Sequence, residues 1–186
     1  MMPNTKRFLI GLAVAIAALL AGVYAGHKKA ATNISPNATT TLATGSISRL
    51  FASTLDDTDE KPQAFSQWKG KTLVVNFWAT WCPPCREEMP GFSRLHAKNV
   101  VNGVQFVGIA LDSKESTQQF ARQYPVSYPL LIGGDEGTVL ARQLGNVQLA
   151  MPYTVIIGTD GEARFTRLGS LSEQELDKLL KETAGR

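Results

Sequence analysis

Cysteine is nearly missing from this 186-residue chain, which holds only Cys82 and Cys85, three positions apart. Two residues so close together cannot staple a fold, so a disulfide scaffold is excluded. Histidine is equally scarce, with only His27 and His96. That leaves too few ligands for the four-coordinate zinc sites of structural metal domains. No acid precedes Asp56, and residues 30–48 carry no charge of either sign. Nowhere does a Lys/Arg cluster interleave with aromatics, which removes the electrostatic footprint of a nucleic-acid partner.

The formal charge of +3 has a local origin. Lys6, Arg7, Lys28 and Lys29 lie in the first 29 residues, whereas from Arg49 onward 15 bases meet 16 acids. The bulk of the chain is thus nearly neutral, and its 44% hydrophobic content fits a globular domain rather than a disordered one.

Between Lys6-Arg7 and His27-Lys28-Lys29 runs an uncharged apolar stretch, Phe8 to Gly26. As a helix it spans a bilayer of ~30 Å. The competing reading is a signal peptide cleaved after Ala25, since Val23-Tyr24-Ala25 places small residues at a suitable spacing. The run is long for a signal core, so a retained anchor over residues 1–29 is preferred. The alternative is a soluble periplasmic protein released by cleavage. No cysteine follows the run, which excludes a lipid-anchored lipoprotein. Residues 30–48, rich in Ala, Thr, Ser and Asn, read as a flexible linker to a domain at 49–186.

Within that domain, Phe51 to Leu55 reads as a short edge strand. Thr72 to Trp78 and Val104 to Leu111 read as buried strands. A helix starts after Cys85, with Met89, Phe92, Leu95 and His96 at helical spacing and Pro90 predicting a kink. Ser113 caps a helix through Gln123, and Asp135 to Leu144 is another. Tyr153 to Ile157 and Ala163 to Arg167 make a hairpin across Thr159-Asp160-Gly161. Ser172 to Glu175 is a capping box opening a last helix. The order β–β–α–β–α–α–β–β–α predicts an α/β fold, a mixed central sheet flanked by helices.

Trp81-Cys82-Pro83-Pro84-Cys85 falls between a buried strand and a helix start. There the unpaired N–H groups and the macrodipole favour an anion, so Cys82 gains thiolate character. Cys85, one turn on, is shielded and close enough to form a disulfide with it. Pro84 suits a first turn, where its missing N–H costs nothing. The pair reads as a redox-active dithiol rather than a structural disulfide or half a metal site. Cys82 attacks a substrate disulfide and Cys85 resolves the mixed disulfide.

These residues make the sequence recognisable. Lys69-Gly70-Lys71, the stretch from Val75 to Pro90, Val107-Gly108-Ile109, and Met151-Pro152-Tyr153-Thr154 before Thr159-Asp160-Gly161 resemble the membrane-anchored, thioredoxin-like thiol:disulfide oxidoreductases of the TlpA/ResA type. The likeness covers about Phe51 to Glu182. It implies a thioredoxin fold with a central insertion, roughly Ser113 to Gly145, preceded by an N-terminal transmembrane helix.

By the same resemblance Pro152 aligns with the family's cis-proline beside the cysteines, and Met151 faces the substrate. Trp81, Pro83 and Pro84 shape the substrate surface. Glu88 matches an acidic residue near the disulfide, where a partly buried carboxylate relays a proton to Cys85. Asn76 stands where cytoplasmic thioredoxins carry a buried Asp, and an amide cannot titrate. Ala79 stands where peroxiredoxins need a Thr, which argues against peroxide reduction. His96 does not fit the cysteine spacing of copper chaperones and reads as a solvent-facing or core-edge histidine.

The resemblance implies an enzyme facing the periplasm or cell exterior. It would be kept reduced by a membrane electron donor and act on protein disulfides, those of apocytochrome c or of copper-site proteins. No cofactor beyond the cysteine pair and no metal is expected. The alternative is a copper-binding or assembly module using the same thiolates without turnover.

Overall fold

The computed structural model describes Leu42 and residues 45–184. The expected membrane segment lies outside the described residues, as does the expected linker apart from Leu42 and residues 45–48. Among the described residues no helix is long and apolar enough to cross a membrane.

The described residues open with helix α1 (Ser46–Ala52), then a small antiparallel pair, β1 (Thr54–Asp56) and β2 (Pro62–Ala64). A 3₁₀ turn at Phe65–Trp68 leads into β3 (Thr72–Trp78), every residue of which is buried. Helix α2 (Pro83–Asn99) follows, then β4 (Val104–Ala110), α3 (Lys114–Gln123), β5 (Leu130–Ile132) and α4 (Gly134–Gln143). The hairpin β6 (Tyr153–Ile157) and β7 (Ala163–Leu168) and helix α5 (Glu173–Ala184) complete the domain.

The central sheet has the order β5-β4-β3-β6-β7. Strands β5, β4 and β3 run parallel, and β6 and β7 are antiparallel to their neighbours. The inner strands are buried along their whole length because helices cover both faces. One face packs Val74, Trp78, Phe106 and Ile156 against Cys85, Met89 and Phe92 of α2, Phe120 of α3, and Leu176 and Leu180 of α5. The other packs Leu73, Val75 and Phe77 against Leu50 and Phe51 of α1 and Leu140, Ala141 and Leu144 of α4. Side chains alternate across a strand, so Asn76 falls on the α2 side between Val74 and Trp78. That register positions the site.

Two expectations need correction. Phe51 is not in a strand. It closes α1, and the strand begins only at Thr54. Ile47, Leu50 and Phe51 form one apolar stripe at helical spacing, all packed on the second core face. The boundary drawn at residue 49 cut that stripe in two, which hid the helix. Strands β2 and β5 were not foreseen either, since three residues are too few to show a period of two. The capping helix after Ser113, the hairpin and the last helix lie where the sequence puts them. The segment expected to be inserted supplies α3, β5 and α4, extending the sheet by one parallel strand.

Candidate active site

Cys82 and Cys85 are joined as a disulfide at the start of α2, with Cα atoms 5.3 Å apart. Cys82 is the N-cap, in extended conformation, and its sulfur accepts the Cys85 N–H at 3.3 Å. Pro83 and Pro84 fill the first helical positions, where no N–H is needed. In the dithiol form the same amide and the helix dipole stabilise a thiolate at Cys82. Both cysteines are buried, Cys85 completely and Cys82 with 4% of its surface exposed. Attack is therefore confined to the Cys82 edge, beside Trp81, which is 66% exposed.

Asp112 anchors the loop that carries Cys82. Its Oδ2 accepts both the N–H and the hydroxyl of Thr80, while Oδ1 accepts the Ser113 N–H at 2.8 Å. Hydrogen bonds to a charged group contribute roughly 2 kcal/mol each when partly buried. The turn between β3 and α2 is thus tied to the end of β4. Asp112 reads in sequence only as the residue closing a strand. Its partner is 32 positions away, so no local signal marks it.

Glu88 lies one turn beyond Cys85 on the inner face of α2 and is only 7% exposed. Asn76 Nδ2 donates to its Oε1 at 2.8 Å and to Thr154 Oγ1 at 3.1 Å, and the Leu171 N–H donates to Glu88 Oε2 at 3.0 Å. No cation lies within ion-pair distance of Glu88 among the described residues. Burial pushes its pKa up to about 7, against the two hydrogen bonds, which pull it down. The group is poised to give or take a proton near neutrality. Asn76 holds it by geometry and takes no part in titration.

The remaining expected residues differ in their surroundings. The Met151–Pro152 peptide bond is cis, and Pro152 is buried at the start of β6. Met151 is half-buried and packs on the core cluster that includes both cysteines. Pro84 is half-buried and Pro83 exposed. Pro83 also opens a groove of about 730 Å³ between α2 and the end of α3, floored by Met89 and Phe120. At its wall Arg86 lies over the Tyr124 ring, 5.2 Å from the centroid, and donates to the Tyr124 hydroxyl at 3.3 Å.

His96 is buried, three turns beyond the cysteines, and both ring nitrogens are engaged. Ser127 spends its hydroxyl hydrogen on the Ser93 carbonyl at 2.7 Å, so its oxygen accepts from His96 Nδ1 at 3.1 Å. Gln105 Nε2 then donates to His96 Nε2 at 3.4 Å. This arrangement fits the neutral ring, and burial holds the His96 pKa below its ordinary value. His96 pins the loop before β5 to α2. Among the described residues no group of three or more His, Cys, Asp or Glu is placed to hold a metal ion.

A cystine capping the helix that follows the central strand of this mixed sheet defines a thioredoxin-fold thiol:disulfide oxidoreductase. The chain belongs to the AhpC/TSA family, whose model matches residues 49–166. It is 30% identical over 126 residues to the thiol-disulfide oxidoreductase ResA of Bacillus thuringiensis subsp. konkukian, covering 67% of this chain and 70% of that one. Among solved structures it is similar to a thioredoxin-related protein from Neisseria meningitidis serogroup B, at 34% identity and TM-score 0.64, covering 71% of this chain and 99% of the other. A secreted Mycobacterium tuberculosis disulfide oxidoreductase, homologous to DsbE of E. coli, aligns at 25% identity and TM-score 0.59, over 72% and 98% of the two chains. The expected thioredoxin-like fold, the ResA-like thiol:disulfide oxidoreductase family and the enzyme class are thereby borne out, whereas the expected transmembrane helix lies outside the described residues.

Proposed function

We propose that this enzyme is a reductase of specific protein disulfides, working outside the cytoplasm from a membrane tether through Cys82 and Cys85. The observation that carries it is the cystine at the α2 N-terminus, with one sulfur at an open edge and the other sealed beside Glu88. The Cys82 thiolate attacks one sulfur of a substrate disulfide. That bond breaks, a Cys82–substrate bond forms, and the first substrate sulfur leaves as thiolate. Cys85 then passes its proton to the Glu88 carboxylate and attacks Cys82 Sγ. The intermolecular bond breaks, and the second substrate thiolate leaves and is protonated from Glu88 or water. Two electrons have moved to the substrate, and the protein is left as the cystine of this structure. A dithiol donor returns it to the reduced form, and a membrane protein is the proposed donor.

The apolar run flanked by Lys6-Arg7 and Lys28-Lys29 supports the tether. A tethered reductase is useful in a compartment where disulfides form spontaneously, and the secreted relative supports that location. The proposed substrates are haem-attachment cysteines of apocytochrome c or copper-site cysteines of oxidase assembly. Both are paired thiols that must be reduced before they bind their group.

The direction of electron flow is tested by equilibrating the protein with glutathione or dithiothreitol buffers and measuring the midpoint potential of the Cys82–Cys85 couple. A reductase requires a value more negative than about −180 mV, whereas one near about −120 mV, that of the strong oxidant DsbA, contradicts the reading.

A further inference from the structure

Three polar atoms beneath α2 are buried without a hydrogen-bond partner: Asn76 Oδ1, Trp78 Nε1 and the Tyr128 hydroxyl. Left unpaired in the core, each loses its hydrogen bonds to water with no replacement. Trp78 and Tyr128 border Gly108, with the Leu130 methyl closest to it at 2.8 Å from a carbon built there. A carbon built on Gly108 would lie 3.1 Å from Trp78 Nε1 and 3.4 Å from Tyr128 Cε2, whose hydroxyl is two bonds further. Gly108 is the register partner of Asn76 on the neighbouring strand, and Asn76 in turn holds Glu88. Tyr128 comes from the loop before β5, 96% buried against Phe106 and His96. Burial, with the Glu88 charge adding to it, pushes its phenol pKa up.

The four groups are complementary. Trp78 Nε1–H and the Tyr128 O–H donate, while Asn76 Oδ1 and the Glu88 carboxylate accept. A water molecule has two acceptor and two donor positions, which matches that set. We propose that Tyr128 is a positioning residue for Glu88, its hydroxyl acting through one buried water shared with Trp78 and Asn76. The inference rests on the proton role given to Glu88 above and extends it. The water steadies the Glu88 carboxylate in the charged form that takes the Cys85 proton. Tyr128 thereby brings the segment carrying α3 and β5 into the chemistry. Glu88 accepts from the Asn76 amide, itself bonded to Thr154, and from the Leu171 N–H before α5. Cys85 lies one turn before it on α2, and the Glu88 charge acts on the Tyr128 phenol.

The test is a carboxyl-carbon NMR titration of Glu88 in the oxidised full-length protein, compared with Tyr128→Phe, which keeps the ring. Losing a donor to the charged form should raise the Glu88 midpoint by about one unit. A second measurement needs no change at Tyr128. The indole N–H resonance of Trp78 should move with the Glu88 midpoint, and stay flat in Glu88→Gln. An unmoved midpoint in Tyr128→Phe, or a Trp78 indole signal indifferent to Glu88 ionisation, overturns the proposal. Both readings are made without substrate, so they stand apart from the direction of electron flow.

Discussion

Replacing Cys85 with Ser should convert the enzyme into a trap that holds its substrate. Cys82 keeps its helix-capping position and the amide N–H that favours a thiolate, so the first attack proceeds. The group that resolves the mixed disulfide is then missing, and the complex persists. In the wild type that group is an internal thiol one helical turn away. Intramolecular attack in good geometry has an effective concentration many orders of magnitude above any external thiol. Turnover should therefore fall by at least about three orders of magnitude in millimolar dithiothreitol. The complex is read by non-reducing electrophoresis and mass spectrometry of membranes from cells expressing Cys85→Ser. Covalent partners present with Cys85→Ser and absent with the Cys82→Ser, Cys85→Ser double variant are expected, and their identity names the substrate. If the two variants yield the same bands, those bands are not mixed disulfides of Cys82 and the trapping account fails. If Cys82→Ser alone traps the partners instead, the order assigned to the cysteines is wrong.

The second large effect is on stability against pH. Glu88 titrates at about 7 in the fold, against 4.5 as its ordinary value. The folded state thus holds a proton that the unfolded chain releases from pH 4.5 upward. Stability from this group is fully present below pH 4.5 and is lost as pH rises to 7, with no further loss above. A shift of this size corresponds to about 3 kcal/mol. His96 works the other way, because burial keeps it neutral and the unfolded chain gains a proton as pH falls below 6.5. Denaturant unfolding of the oxidised wild type should show the Glu88 loss between pH 4.5 and 7. In Glu88→Gln that loss should vanish, leaving the opposite, His96-driven slope. A wild type whose pH profile across that window coincides with that of Glu88→Gln would contradict the buried, proton-holding state of Glu88.

How far the site was legible depends on how local each part of it is. The cysteine pair could be read because strand, turn and helix start are contiguous from Thr72 to Pro90. The apolar stripe of α2 was equally plain. Glu88 could be placed on that helix, but its environment could not. Its partners Asn76 and Leu171 lie 12 positions before it and 83 after it. They meet only through the register of β3 with β6 and the docking of α5. Thr80 and Asp112 meet through the parallel pairing of β3 and β4, which no periodicity specifies. Tyr128 sits in a loop whose sequence, Ser127-Tyr128-Pro129, carries no signal of burial at all. The pattern of apolar residues sets the elements, whereas the proton-handling surroundings arise from long-range register.

The central claim is that Cys82 and Cys85 catalyse disulfide exchange on protein substrates. Its most direct test is the rate of insulin reduction by dithiothreitol with the purified full-length enzyme. The wild type should accelerate precipitation of the insulin B chain in proportion to enzyme concentration, and Cys82→Ala should give the uncatalysed rate. A wild type that leaves the rate unchanged, or a Cys82→Ala variant that accelerates it equally, would contradict the assignment.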